Sequence, residues 1–177
     1  MPPTQIIDPT QIDFDQIVCD VDAIEAINPH RYGMRMLDAI VHIDRTQHII
    51  VGYRDIRDDE FWVPGHMPGH PLLPGVLMCE AAAQIGCFYT KTHGAMFNDL
   101  MGLGGIENAR FRAPVVPGDR LVLVARGRKI HRRKSEFEVH GYVGSTMVFN
   151  ADVIGLPIPG QDKVLQHQDV CLNGVGG

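Results

Sequence analysis

The chain lacks any apolar run of membrane-spanning length in its 177 residues, and its first residues, Met1-Pro2-Pro3-Thr4-Gln5, carry no basic charge. A transmembrane helix needs about 20 consecutive apolar residues, and a secretory leader needs a positive start, so a cytoplasmic protein with no membrane partner is predicted. The four cysteines, Cys19, Cys79, Cys87 and Cys171, form no CxxC pair and no zinc-like spacing. They read as free thiols of a reducing compartment. Positive charge is not in surplus either: the net charge is −5, which excludes a general nucleic-acid binder. No internal repeat is visible. Hydrophobic residues make up 45% and charged residues 21%, ordinary for one compact globular domain.

What is present divides into three parts: an extension over 1–19, a domain over 20–157, and a polar, glycine-ended tail over 158–177. The extension contains three prolines and no clear period, so loose packing or none is expected. The tail is expected to be poorly ordered. Asp20 or Asp22 can cap a short helix through Ile27. Alternating apolar residues predict strands at 37–43 and 49–53 around a polar turn. Residues 61–75, FWVPGHMPGHPLLPG, hold four prolines and three glycines, which forbids helix or central strand and makes the loop stiff. From Val76 to Thr92 proline disappears and the sequence is apolar around most of a helical circumference, predicting a buried helix. Strands follow at 106–116, 121–130, 137–143 and 147–153, with turns at Pro117-Gly118-Asp119 and Gly144-Ser145. One buried helix and a run of antiparallel strands make an α+β domain in which a sheet wraps the helix.

The chemistry concentrates at the junction of the stiff loop and the apolar helix. Glu80 is the one acidic residue of that helix, and a carboxyl group there is costly unless neutral or paired, which suits a general acid. Gln84 lies four residues on, on the same face, where its amide can orient the carboxyl. His66, flanked by Pro64 and Pro68, is a restrained candidate base. The helix start offers unbonded N–H groups near Gly75 and Val76 able to polarise a carbonyl. Base, acid and oxyanion donor together are what proton abstraction beside a thioester carbonyl needs. Against this stands a bland reading of equal weight on residue types alone: a satisfied structural carboxylate and a turn histidine.

A zinc site of His66, His70 and Glu80 is a weaker alternative, because His-x-x-x-His on a proline-rich loop lacks helical pre-positioning. Cys79 has no adjacent base. Gly102-Leu103-Gly104-Gly105 lacks the Lys-Ser/Thr of a phosphate loop and fits glycines opening a strand beside a cavity. The basic run Arg128, Lys129, Arg132, Arg133 and Lys134 reads either as a solvated hairpin face or as a dock for a small acidic partner.

The stretch Gly65-His66-Met67-Pro68-Gly69-His70-Pro71-Leu72-Leu73-Pro74-Gly75-Val76-Leu77-Met78-Cys79-Glu80-Ala81-Ala82-Ala83-Gln84 resembles the signature of the FabZ-type 3-hydroxyacyl-acyl-carrier-protein dehydratases. Pro29-His30-Arg31-Tyr32 and the run Ile106-Glu107-Asn108-Ala109-Arg110-Phe111 extend the likeness, which covers roughly residues 22–156. The resemblance implies a hot-dog fold and a homodimer assembling to a trimer of dimers. It implies that His66 of one subunit and Glu80 of its partner share an acyl tunnel, with the Gly75 N–H on the thioester carbonyl. It further implies acyl carrier protein as partner, a trans-2-enoyl thioester as product in fatty acid biosynthesis, and no cofactor or metal. Glu80 stands where the isomerising FabA type carries Asp, so dehydration alone is expected. Gly33, Arg35, Met67 and Trp62-Val63 depart from the pattern without removing a catalytic group. A hot-dog thioesterase and a non-catalytic acyl-thioester binder are the rivals; the paired loop and helix residues argue against both.

Overall fold

The computed structural model describes residues 3–94 and 100–158. Asp20 caps α1 (Val21–Ile27) through its carboxylate, which accepts from the Ala23 N–H at 3.0 Å. Two strands, β1 (Ala39–Asp44) and β2 (Ile49–Asp55), form a hairpin whose turn is closed by Asp44 accepting from the Thr46 and Gln47 N–H groups. The stiff loop then leads into α2 (Gly75–Thr92), followed by β3 (Leu100–Phe111), β4 (Arg120–His131), β5 (Lys134–Val143) and β6 (Thr146–Ile158). All pairings are antiparallel in the order β1-β2-β4-β5-β6-β3. Among the described residues no helix is long and apolar enough to cross a membrane.

The core follows from strand alternation. Leu121, Leu123 and Ala125 of β4 join Phe137, Val139, Phe149 and Ala151 in one buried cluster with Ala81, Ala82, Ile85 and Phe88 of α2. Helix and sheet approach closely where Gly86 faces Phe137; a Cβ there would lie 3.0 Å from the ring. A sheet curled around one apolar helix is the hot-dog arrangement.

The opposite face corrects one expectation. Residues 3–19 are not loosely packed. Ile6 is buried on Ala39, Val41, Ile49, Val51, Val122, Val124 and Tyr142, with Ile7, Ile12 and Phe14 against the same cluster. Arg126 donates to the Ile6 carbonyl, and Arg120 lies 3.9 Å above the Tyr53 ring. The signal was present in the run Leu121-Val122-Leu123-Val124-Ala125, which is apolar on both faces and therefore needs covering twice. Two strand boundaries also move. β3 starts at Leu100 and ends at Phe111, ahead of Pro114, and β6 extends to Ile158. The tail beyond residue 158 lies outside the described residues, as does Cys171.

Candidate functional site

The loop over 61–75 is anchored before it begins. Arg54 binds both carboxylate oxygens of Glu60 at 2.6 Å and also donates to the Arg35 carbonyl, and both charged groups are buried. Trp62 packs in the core behind it, and the Trp62 carbonyl accepts from the N–H groups of Gly65 and His66. The His66–Met67 peptide is cis. Leu72 N–H returns to the His66 carbonyl at 2.9 Å, and Leu73 N–H binds the Val115 carbonyl at 2.8 Å. The His66 ring is fixed by the same backbone: its Nδ1 lies 2.7 Å from the Leu72 carbonyl oxygen. A carbonyl only accepts, so in neutral His66 the proton sits on Nδ1 and Nε2 keeps its lone pair. That is the tautomer of a general base.

His66 lines a pocket of about 550 Å³ with Leu72, Gly75, Val76, Met78, Phe111 and Arg112. Gly75 opens α2, and Pro74 before it has no side chain to cap the helix. A Cβ on Gly75 would lie 2.9 Å from the Phe111 ring, so glycine is what lets the helix start reach this wall.

Glu80, one and a half turns further along α2, lines a different pocket of about 180 Å³ with His30, Ala83, Cys87, Met101, Gly102 and Leu103. Its Oε1 accepts from Gln84 Nε2 at 2.8 Å. Gln84 is itself tied down: Nε2 also donates to the Met34 carbonyl at 2.7 Å, and Oε1 accepts from Met36 N–H at 2.9 Å. His30 Nε2 stands 3.4 Å from Glu80 Oε1. Burial pulls His30 below the ordinary histidine range, against an opposing pull from Glu80 and with help from Lys91 and Arg31. His30 lies in the Pro29-His30-Arg31-Tyr32 stretch, and nothing local in the chain places it over Glu80.

Within one chain, then, Gly75 is brought to His66 and Gln84 to Glu80, while His66 and Glu80 line separate cavities. His70 is exposed and lines neither. The described residues hold no grouping of three His, Cys, Asp or Glu suited to a metal, so the His66–His70–Glu80 zinc alternative is not assembled there. Burial raises the Cys79 thiol and pushes Cys87 up to about 11, the opposite of nucleophile activation. Gly102 to Gly105 lie within β3, with Gly102 and Leu103 on the Glu80 pocket. Of the basic run, Arg128 pairs with Glu138 and Asp152, Lys134 with Glu136, and none of the five lines either pocket.

The class is the hot-dog α+β fold, here with a backbone-fixed imidazole ahead of its central helix and a side-chain-held carboxyl on it. A family model described as the FabA-like domain matches residues 28–152. A 3-hydroxyacyl-[acyl-carrier-protein] dehydratase FabZ from Desulfotalea psychrophila is 38% identical over 138 residues, covering 76% of this chain and 91% of the relative. A protein of the same name from Desulforamulus reducens is 34% identical over 135 residues, covering 76% and 94%. The chain belongs to the FabA-like domain family. Among solved structures, the dehydratase heterocomplex ApeI:P from Xenorhabdus doucetiae superposes with a TM-score of 0.67 at 14% identity, over 78% of this chain and 93% of that one, a likeness of fold.

Proposed function

We propose that this protein is a cytoplasmic dehydratase of fatty acid biosynthesis, converting (3R)-3-hydroxyacyl-acyl carrier protein to the trans-2-enoyl thioester. Relatives of that name over three quarters of the chain favour this reading over thioester hydrolysis. His66 Nε2 takes the C2 proton while the Gly75 N–H polarises the thioester carbonyl. Glu80, oriented by Gln84, gives its proton to the C3 oxygen as the C–O bond breaks, releasing water and leaving the C2=C3 double bond. The products on the protein are His66 protonated and Glu80 as carboxylate; a return proton transfer resets the pair. With glutamate rather than aspartate as acid, the reaction stops at dehydration.

The observation that carries this reading is the position of the two half-sites along β3. That strand is a sheet edge, with Leu103, Ile106 and Phe111 exposed. An unpaired apolar edge is a template for another strand. Met101 to Leu103 at its start border the Glu80 pocket, and Phe111 at its end borders the His66 pocket. Antiparallel pairing of β3 with the same strand of a second copy sets the start of one against the end of the other. Each Glu80 half-site then meets a His66 half-site across a two-fold axis, and three such dimers give the assembly of the family.

Hydration of crotonyl thioesters by wild type, His66→Ala and Glu80→Gln tests the assignment. Each variant is expected to stay folded and to lose about a hundredfold to ten-thousandfold in turnover. Wild-type-like rates in either would refute it. Carrier-protein docking is assigned to the basic run, above all to Lys129, Arg132 and Arg133, which are exposed and, among the described residues, lack ion pairs like those of Arg128 and Lys134. Unchanged carrier affinity of Arg132→Glu/Arg133→Glu at low salt would discard docking there.

A further inference from the structure

His30 lines the Glu80 pocket, and the proposed chemistry leaves its imidazole idle. Its main chain is fixed independently of its ring. Arg31 donates to the carbonyls of Asn28, His30 and Glu25, each at 2.8 Å, and Asn28 Nδ2 donates to the Gln84 carbonyl at 2.9 Å. The turn over 28–31 is thereby pinned to α2 without help from the imidazole. Nε2 of the ring lies 3.4 Å from Glu80 Oε1, while Nδ1 is buried and, among the described residues, has no hydrogen-bond partner.

That arrangement selects one protonation state. A doubly protonated ring would bury an Nδ1–H donor with no acceptor, beside the positive charges of Arg31 and Lys91. With a single proton on Nε2, the ring presents a donor to the carboxyl. Glu80 Oε1 already accepts from Gln84, and among the described residues Oε2 has no hydrogen-bond partner. With Gln84 donating to Oε1 and His30 Nε2 beside the same oxygen, Oε2 is left to carry the proton that is transferred. The 3.4 Å contact is about half an ångström longer than a formed hydrogen bond. A neutral carboxyl attracts the N–H weakly; a carboxylate attracts it strongly, and charge-assisted bonds are shorter. The contact therefore strengthens as Glu80 loses its proton, and an interaction that grows along the reaction lowers the barrier rather than tightening substrate binding.

We propose that His30 is a positioning residue for the acid: as a neutral Nε2–H donor it holds Glu80 Oε1 opposite Gln84, directs the transferable proton to Oε2, and stabilises the carboxylate formed when the C3–O bond breaks. This rests on the reading of Glu80 as the acid.

The test is dehydration of 3-hydroxybutyryl-acyl carrier protein followed across pH for wild type, His30→Ala, His30→Gln and Glu80→Gln. His30→Ala is expected to lower kcat about tenfold with KM within about twofold. A donor to a carboxylate favours its charged form. Removing it keeps the acid protonated to higher pH, so the alkaline limb of the profile moves upward. His30→Gln, which offers an amide N–H from a similar position, should recover most of kcat and return the limb. Should the alanine protein melt too low to assay, His30→Phe fills the same space without a donor and carries the same expectation. Wild-type kcat and limb in the donor-less variant overturn the inference. So does a fall in kcat with an unmoved limb and no recovery by glutamine, which marks a packing role only. If Glu80→Gln turns over like wild type, the acid itself is misassigned and both readings fall; if Glu80→Gln is inactive, a silent His30 sinks this inference alone.

Discussion

The two halves of the site are held in place by different kinds of structure. His66 is fixed by main chain: its ring bonds a carbonyl, and the loop around it is closed by backbone hydrogen bonds between prolines. Glu80 is fixed by side chains: Gln84 binds it while also clamping Met34 and Met36, and His30 stands over the same oxygen. The pockets differ in the same sense, about 550 Å³ beside the loop against about 180 Å³ beside the helix. A group held by backbone tolerates changes in neighbouring side chains. One held by a relay of side chains transmits every change to the acid.

The strongest break of this contrast is Gln84→Leu. It removes the donor to Glu80 and strands a buried Met36 N–H that donates to no other partner among the described residues. An unsatisfied buried donor costs about 1–3 kcal/mol. Urea unfolding should register a loss of that size, and kcat in the folded fraction should fall about tenfold or more. Retention of half the wild-type kcat would mean that Glu80 is oriented by packing alone, and the distinction between the halves would disappear.

How far the sequence revealed these halves depends on the length of chain linking their parts. Glu80 and Gln84 are four residues apart on one helix, so their contact follows from helical spacing. The loop was legible because proline and glycine act locally, and His66 could be placed in it before its carbonyl partner was known. His30 could not be placed over Glu80, since the link runs through Asn28 and the Gln84 carbonyl across 56 residues. The N-terminal segment misled for a related reason. Its own composition looks like a tail, and its role lies in the outward valines of β2 and β4, far along the chain. The ion pairs of Arg128 with Glu138 and Asp152 likewise appear only once β5 and β6 lie beside β4.

That segment provides the next test, a destabilisation touching neither half. Ile6→Asp puts a charge on the apolar outer cluster of Val41, Val51, Val122 and Val124. A loss of about 2–3 kcal/mol is expected from the buried apolar side chain and the desolvated carboxylate. Turnover of the folded protein should stay within about twofold, since the opposite sheet face carries α2. An activity loss as large as that of Gln84→Leu, with folding intact, would show that the outer face sets the geometry of the site.

A smaller effect should distinguish the halves through pH. Burial holds His30 below the ordinary histidine value of 6.5, and the same cause lowers His93 and His140 on other parts of the fold. Between the native and unfolded values the unfolded chain binds protons that the native chain does not. Stability is thus fully present above about pH 6.5 and declines as the pH falls through the native values. Asp8 and Asp44, lowered by hydrogen bonds, contribute only nearer pH 4 and below. Thermal unfolding between pH 7.5 and 5 should show the decline, and His30→Gln should flatten part of it. An unaltered slope in that variant would mean His30 is protonated as easily in the native chain as in the unfolded one.

The smallest change belongs to the loop half. Leu72 lines the His66 pocket with its side chain and binds the imidazole with its carbonyl oxygen. Leu72→Val trims one methylene from a partly exposed wall, a change of less than about 1 kcal/mol, and leaves the carbonyl where it was. The Nδ1–H tautomer of His66 should therefore persist, with kcat within about twofold and the acid limb of the pH profile in place. A tenfold fall with a displaced acid limb would show that the leucine side chain, not the backbone, sets the base. The loop would then be as dependent on its neighbours as the carboxyl on the helix.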